Sequence, residues 1–165
     1  MNYAELRWHQ SIFRCIAYRQ RPKCFLELGL SDNPVMLQIA PYCTEMVGVD
    51  PGWQSDVPDN ATVYKMTTDE FFRDHTHDIT RPDLVFVDAD HDSEQVVKDL
   101  HNVSRIAATN CVVLIHDTFP ADFAATAKHE SSDSWRVPGK IPWESVTLPF
   151  PPGLTIARMN PLLLV

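Results

Sequence analysis

Four times in this 165-residue chain a short, continuously apolar run delivers a carboxylate near its end. Cys24-Phe25-Leu26-Glu27-Leu28-Gly29-Leu30 carries Glu27 two residues before a glycine. Met46-Val47-Gly48-Val49 ends in Asp50. Leu84-Val85-Phe86-Val87 ends in Asp88, with Asp90 close behind. Cys111-Val112-Val113-Leu114-Ile115-His116 ends in Asp117. Runs that are short and apolar throughout suit strands covered on both faces, as in a parallel sheet. Core packing gives no reason for each of them to end in an acid.

The stretches between these runs read as helices. Residues 4–19 place Leu6, Ile12, Phe13, Ile16 and Ala17 near helical spacing, and Arg21-Pro22 ends that helix. Ser31-Asp32-Asn33-Pro34 supplies a capping polar residue and a first-turn proline for a helix running to about Tyr42. Ala61 to Met66 is a modest strand. Thr67 caps the helix that follows, and Glu70 answers it. Ser93 is expected to cap a helix reaching about Ala108. After a loose stretch from Phe119 to Pro142, residues 144–150 and 154–159 pair as antiparallel strands around Pro151-Pro152-Gly153. The apolar tail Leu162-Leu163-Leu164-Val165 packs or frays. Alternating strands and helices give a parallel sheet with helices on both faces. All strand C-termini then share one edge, where ligands bind near the switch in strand order.

Composition narrows the function. Acidic residues number 22 against 14 basic, a net charge of -8, and such a surface repels phosphate backbones, so no nucleic-acid partner is expected. There is no 18-residue apolar run for a membrane span, and MNYAELRWHQ lacks the apolar core of a signal peptide, which together point to a cytoplasmic protein. The four cysteines stand apart without a CxxC pair and read as reduced thiols. The length suits a single domain over 1–165.

The run Phe25-Leu26-Glu27-Leu28-Gly29, followed by Val47-Gly48-Val49-Asp50-Pro51, resembles the first two motifs of class I S-adenosylmethionine-dependent methyltransferases. Asp83-Leu84-Val85-Phe86-Val87-Asp88-Ala89-Asp90-His91 is similar to the D-L-[VI]-F-[VI]-D-[GA]-x-H motif of a small-molecule branch that includes macrocin-type and catechol-type O-methyltransferases. Ser93 to Leu100 and Leu114-Ile115-His116-Asp117-Thr118 continue that pattern. The resemblance implies a doubly wound, mostly parallel, seven-stranded Rossmann-like α/β sheet with a C-terminal antiparallel hairpin. Its parts would be an N-terminal helix (1–22), a cofactor-binding core (23–119), a loop or lid (120–143) and the hairpin (144–160). It departs from the family at the first turn. Gly29 is followed by Leu30-Ser31-Asp32-Asn33-Pro34 with no second glycine, a degenerate form of the glycine loop.

The residues then acquire candidate roles. Asp50 can accept from both ribose hydroxyls of S-adenosylmethionine, or cap the turn before Pro51-Gly52. Glu27 and Gly29 line the methionine end; the alternative for Glu27 is a structural contact to nearby backbone or Lys23. Thr68 and Asp69 stand where the family contacts adenine, or merely start a helix. Asp88, Asp90, His91, His116 and Asp117 form the richest cluster. By resemblance Asp88 also meets the cofactor, while Asp88 and Asp117 align with acids that hold magnesium. Thr118 stands where that branch has an amide. A metal there polarises a substrate hydroxyl; without one, His91 or His116 is the candidate base. The bland reading makes His116 a satisfied rim histidine. The aromatic loop from Phe119 to Trp143 closes over a substrate or packs its tryptophans on the sheet.

The implied activity is methyl transfer to an oxygen or nitrogen of a small molecule, driven mostly by alignment because the sulfonium is already activated. With no large substrate-capping insertion, the site is open or completed by a second copy in a homo-oligomer. Three rivals stand beside it: a methyltransferase-like protein that has lost its cofactor, a nicotinamide-binding Rossmann protein suggested by Asp50, and a metal phosphohydrolase suggested by Asp88-Ala89-Asp90.

Overall fold

The computed structural model describes residues 8–30, 32–127 and 131–159. The expected start of the first helix, Ser31 of the proposed cap, and the tail Leu162–Val165 lie outside the described residues. The elements follow in order: α1 (Trp8–Gln20), β1 (Cys24–Leu28), α2 (Val35–Ile39), β2 (Glu45–Val49), β3 (Ala61–Tyr64), α3 (Thr68–Asp74), β4 (Leu84–Val87), α4 (Ser93–Ile106), β5 (Val112–His116), β6 (Glu144–Leu148) and β7 (Leu154–Arg158). The strands form one seven-stranded sheet in the order β3-β2-β1-β4-β5-β7-β6. β1 to β5 are parallel, and β7 inserts antiparallel between β5 and β6. This is the α/β sheet with a terminal hairpin that the sequence implied.

Strand alternation splits the core in two. On one face Leu26, Leu28, Val47, Val49, Val85, Val87, Val113 and Ile115 pack with Phe71 of α3 and Val96, Leu100 and Val103 of α4. On the other, Phe25, Met46, Leu84, Phe86 and Leu114 pack with Phe13 and Ala17 of α1 and Val35, Met36 and Ile39 of α2. Burying each such side chain contributes about 1.5–3 kcal/mol. Both faces are covered, which is why the strands read as unbroken apolar runs. Cys24 and Cys111 are buried in these layers, and all four cysteines are free thiols.

Register fixes the functional edge. Leu28 pairs with Val49 on one side and Val87 on the other, and Val87 pairs with Ile115. The next residues along each strand, Gly29, Asp50, Asp88 and His116-Asp117, therefore leave the sheet side by side. The strand order reverses between β1 and β4, so the switch point lies among them.

Two helix starts differ from expectation. α2 begins after Pro34 with no side-chain cap of its own, and gives way to a 3-10 turn at Ala40–Tyr42. Its first amides are met from the strand instead: Val35 N donates to Glu27 Oε1 at 2.7 Å and Met36 N to Oε2 at 2.8 Å. α4 is capped by Asp92, which accepts from Glu94 N, and not by Ser93. The Ser93 hydroxyl donates to Asp133 forty residues further on. The Thr67–Glu70 capping box of α3 forms as expected.

Two buried acids carry a pH signature. Burial pushes Glu27 up to about 8, against the pull of the Met36 and Val35 amides. Burial likewise pushes Asp99, between α3 and α4, up to about 6 despite donation from Thr68 and Gln95. An acid whose folded pKa exceeds its unfolded value contributes stability at low pH and loses it as pH rises through the folded value. Asp99 should therefore cost up to about 3 kcal/mol between pH 4 and 7. Asp99→Asn should make the fall in urea-unfolding free energy between pH 4 and 6 shallower, leaving only the part due to Glu27, which continues toward pH 8; an unchanged slope below pH 6 refutes the assignment. Glu27→Ala strands two buried amides and should cost about 2–4 kcal/mol in the same assay.

Candidate active site

Gly29 is the residue on which the first turn pivots. Its φ is +85°, and a Cβ built there would lie 2.2 Å from the Asp88 carbonyl oxygen. Only glycine allows β1 to turn this close to the end of β4. The loop beyond is held by side chains. Glu27 takes the α2 amides from below, Gln10 of α1 donates to Asn33 O at 2.9 Å, and Asp50 accepts from Leu30 N at 2.9 Å. Glu27 is 1% exposed, so it acts through the loop and does not face an open site.

Asp50 takes up the turn-capping role. Its Oδ2 meets Leu30 N and its Oδ1 meets Gly52 N at 2.7 Å, so it does hold the Pro51-Gly52 turn. Each carboxylate oxygen has a second lone pair. The residue is half-buried and lines a cleft of about 400 Å³ together with Gly29, Val49, Pro51, Thr67, Thr68, Asp69, Ala89, Asp90 and Gln95. Of the residues named for the cofactor from sequence, Gly29, Asp50, Thr68 and Asp69 meet in this one cleft; Glu27 and Asp88 lie outside its wall. The cleft is open, and no side chain of the described residues plugs it. Asp69 is tied at its outer end to Lys98 Nζ (2.6 Å). Sequence reasoning gave Gln95 no role, Thr67 only that of a helix cap and Ala89 only a place within a motif. The only available signal was their place just after β3 and β4.

The acid–imidazole cluster lies beside the cleft. Asp117 takes a left-handed turn (φ 58°) at the end of β5. His116 Nδ1 sits 3.1 Å from Asp88 Oδ1 and 3.4 Å from Asp117 Oδ1. His91 Nε2 lies 3.0 Å from Asp117 Oδ2 and 3.6 Å from Asp88 Oδ1. Burial alone would lower the His116 pKa; the two carboxylates outweigh it and push it up to about 10. The hydrogen bond with His116 and the nearby His91 ring overcome the burial of Asp88 and hold its carboxyl below the usual range. His116 is thus an imidazolium between two carboxylates. Its side chain is 10% exposed, packed edge-on against His9 at 4.5 Å, and its Nε2 finds no hydrogen-bond partner among the described residues. A proton held this way is a poor one to exchange with substrate. The His91 side chain is 33% exposed.

Asp88, His116 and Asp117 bring ligand atoms within 4.8 Å of one another. Magnesium asks for hard oxygens in an octahedron. Here His116 and His91 already bridge the two acids. The Thr118 hydroxyl, where the third ligand belongs, accepts from Thr155 at 2.9 Å and is buried. These residues do not fit magnesium, and no step below passes through a metal.

The 119–143 segment reaches the same edge. A 3-10 stretch, Ser134–Gly139, docks at the start of α4: Ser134 Oγ donates to His91 O (2.7 Å), and Asp133 accepts from Ser93 N and Oγ. Trp143 is buried in the core, whereas Trp135 is 42% and Phe123 91% exposed.

Residues 13–118 match the family described as a methyltransferase domain. No curated protein matches the sequence. Among solved structures, an SAH-bound methyltransferase of Podospora anserina aligns at 17% identity and a TM-score of 0.68, over 93% of this chain and 79% of that one. The O-methyltransferase TomG of Streptomyces achromogenes, involved in tomaymycin synthesis and solved in complex with SAM, aligns at 12% identity and 0.69, over 92% and 79%. An O-methyltransferase of Bacillus cereus in complex with SAH aligns at 12% and 0.67, over 93% and 81%. At these identities the likeness is one of fold, and it agrees with the family match over most of the chain. The chain therefore belongs to the methyltransferase domain family, of the class I, S-adenosylmethionine-dependent kind that its motifs resemble.

Proposed function

We propose that this chain transfers the methyl group of S-adenosylmethionine to a hydroxyl oxygen or amine nitrogen of a small molecule. The observation that carries this reading is the open cleft at the switch point, with the Gly29 turn at one end, the Asp50 carboxylate in the middle and the Thr67–Asp69 helix start at the other. Asp50 would hold the ribose hydroxyls with the lone pairs that Leu30 and Gly52 leave over. Gly29 lets the backbone approach the donor closely, and Glu27 keeps that turn in place without touching it. The structures of similar fold that hold SAM or SAH support the same choice of donor.

The donor supplies an activated methyl group, so the protein's task is alignment and proton removal. The new bond forms between the acceptor atom and the methyl carbon while the carbon–sulfur bond breaks, its electron pair staying on sulfur. The acceptor's proton passes to His91, the more accessible imidazole of the cluster, and Asp117 steadies the imidazolium that results. His116 stays charged throughout and keeps Asp88 and Asp117 together at the rim, which makes it a positioning residue.

Calorimetric titration with S-adenosylhomocysteine tests the donor site. Binding is expected, and Asp50→Ala should weaken it at least tenfold, about 1.4 kcal/mol. Asp50→Asn, followed by thermal melting, separates loss of the ribose contact from loosening of the Gly52 turn. No heat from either S-adenosylmethionine or its demethylated product would instead place the chain with methyltransferase-like proteins that have lost the cofactor. Once an acceptor is found, His91→Ala should lower kcat by roughly 10²–10⁴ with little change in the donor's KM; an unaltered kcat removes His91 as the base.

A further inference from the structure

The end of the cleft beyond Asp50 is closed by an amide whose orientation the protein has fixed. Gln95, in the first turn of α4, turns the two N–H groups of Nε2 toward three oxygens, one of them shared: Asp99 Oδ1 at 3.1 Å, Thr68 Oγ1 at 3.3 Å and Asp69 Oδ1 at 3.3 Å. Two of these are carboxylates, and Asp99 is fully buried. Flipping the amide would set its carbonyl oxygen against both of them, lone pair against lone pair. The nitrogen must therefore face inward. The carbonyl oxygen, Oε1, meets no protein donor among the described residues and is not among the buried unpartnered atoms, so it is left to the cleft that Gln95 lines. Asp69, the acid that the sequence suggested for this end, is already engaged by Lys98 and Gln95.

We infer that Gln95 is the base-selecting residue of the donor site, its Oε1 accepting from the exocyclic amine of adenine. The inference rests on the donor reading above and extends it to one atom. A fixed acceptor favours a 6-amino purine. It disfavours a 6-oxo purine, which presents an oxygen to the same oxygen and leaves both unpaired. Asp99 and Thr68 act behind it as positioning residues, holding the amide from its buried side.

Calorimetry with two ligands tests this: S-adenosylhomocysteine and its 6-oxo analogue, S-inosylhomocysteine, each against the wild type, Gln95→Leu and Gln95→Met. The wild type should bind the adenosyl compound at least tenfold more tightly. In both variants that ratio should fall to about threefold or less, chiefly through weaker binding of the adenosyl compound. The unbranched Met variant guards against a packing defect in the Leu variant, and thermal melts report whether each is folded. Adenosyl binding without discrimination in the wild type, or a full tenfold ratio kept in a folded variant, overturns the role of Gln95 and leaves the donor site standing. Failure of the wild type to bind either ligand overturns both.

Discussion

A buried carboxylate on β1 sets the geometry of the whole carboxyl edge. Pro34 leaves the start of α2 without a side-chain cap, yet the amides of Val35 and Met36 are buried and need acceptors. Glu27 meets both, from a strand position facing the α1 and α2 layer. Those two bonds anchor the start of α2, while Gly29 lies close against the Asp88 carbonyl. Gln10 and Asp50 hold the loop's other points. A turn with no second glycine thus keeps its shape through side-chain hydrogen bonds, where a richer glycine loop would rely on backbone freedom. The cost is an acid in an apolar layer, visible in the upward push on its pKa.

The acids at the rim are not alike, although the sequence presents them in the same way. Glu27 and Asp50 are spent largely on backbone amides. Asp69 is spent on Lys98 and Gln95. Asp88 and Asp117 face each other across His116, whose charge keeps two neighbouring carboxylates at the edge of an acidic protein from repelling each other. On the proposed reading, an incoming donor would meet the spare lone pairs on Asp50 and the Gln95 carbonyl. An acidic rim becomes a binding surface only after these internal claims are met.

Features carried by neighbours in the chain were readable in advance. The Thr67–Glu70 box closes over three residues and needs nothing else, so its motif was sufficient. Ser93 had the same kind of signal, but its hydroxyl is claimed by Asp133 and the cap passes to Asp92. α2 looked longer because its apolar spacing continues through Tyr42, while the chain tightens into a 3-10 turn at Ala40. Trp135 and Trp143 looked equivalent from sequence; only the second lies where the sheet's apolar layer continues.

The amino-acid sequence alone determined the alternation of buried strands and helices, the placing of an acid at successive strand ends and the family those motifs resemble. Each of these follows from local periodicity and from the covering of both sheet faces. The tertiary structure decided which partner each acid meets: α1 bringing His9 against His116, β1 lending Glu27 to α2, and α3 joining Asp99 in turning the Gln95 amide. Side-chain partnership across a sheet depends on strand order and register. Those arise from the summed packing of distant segments, and no short stretch of residues encodes them.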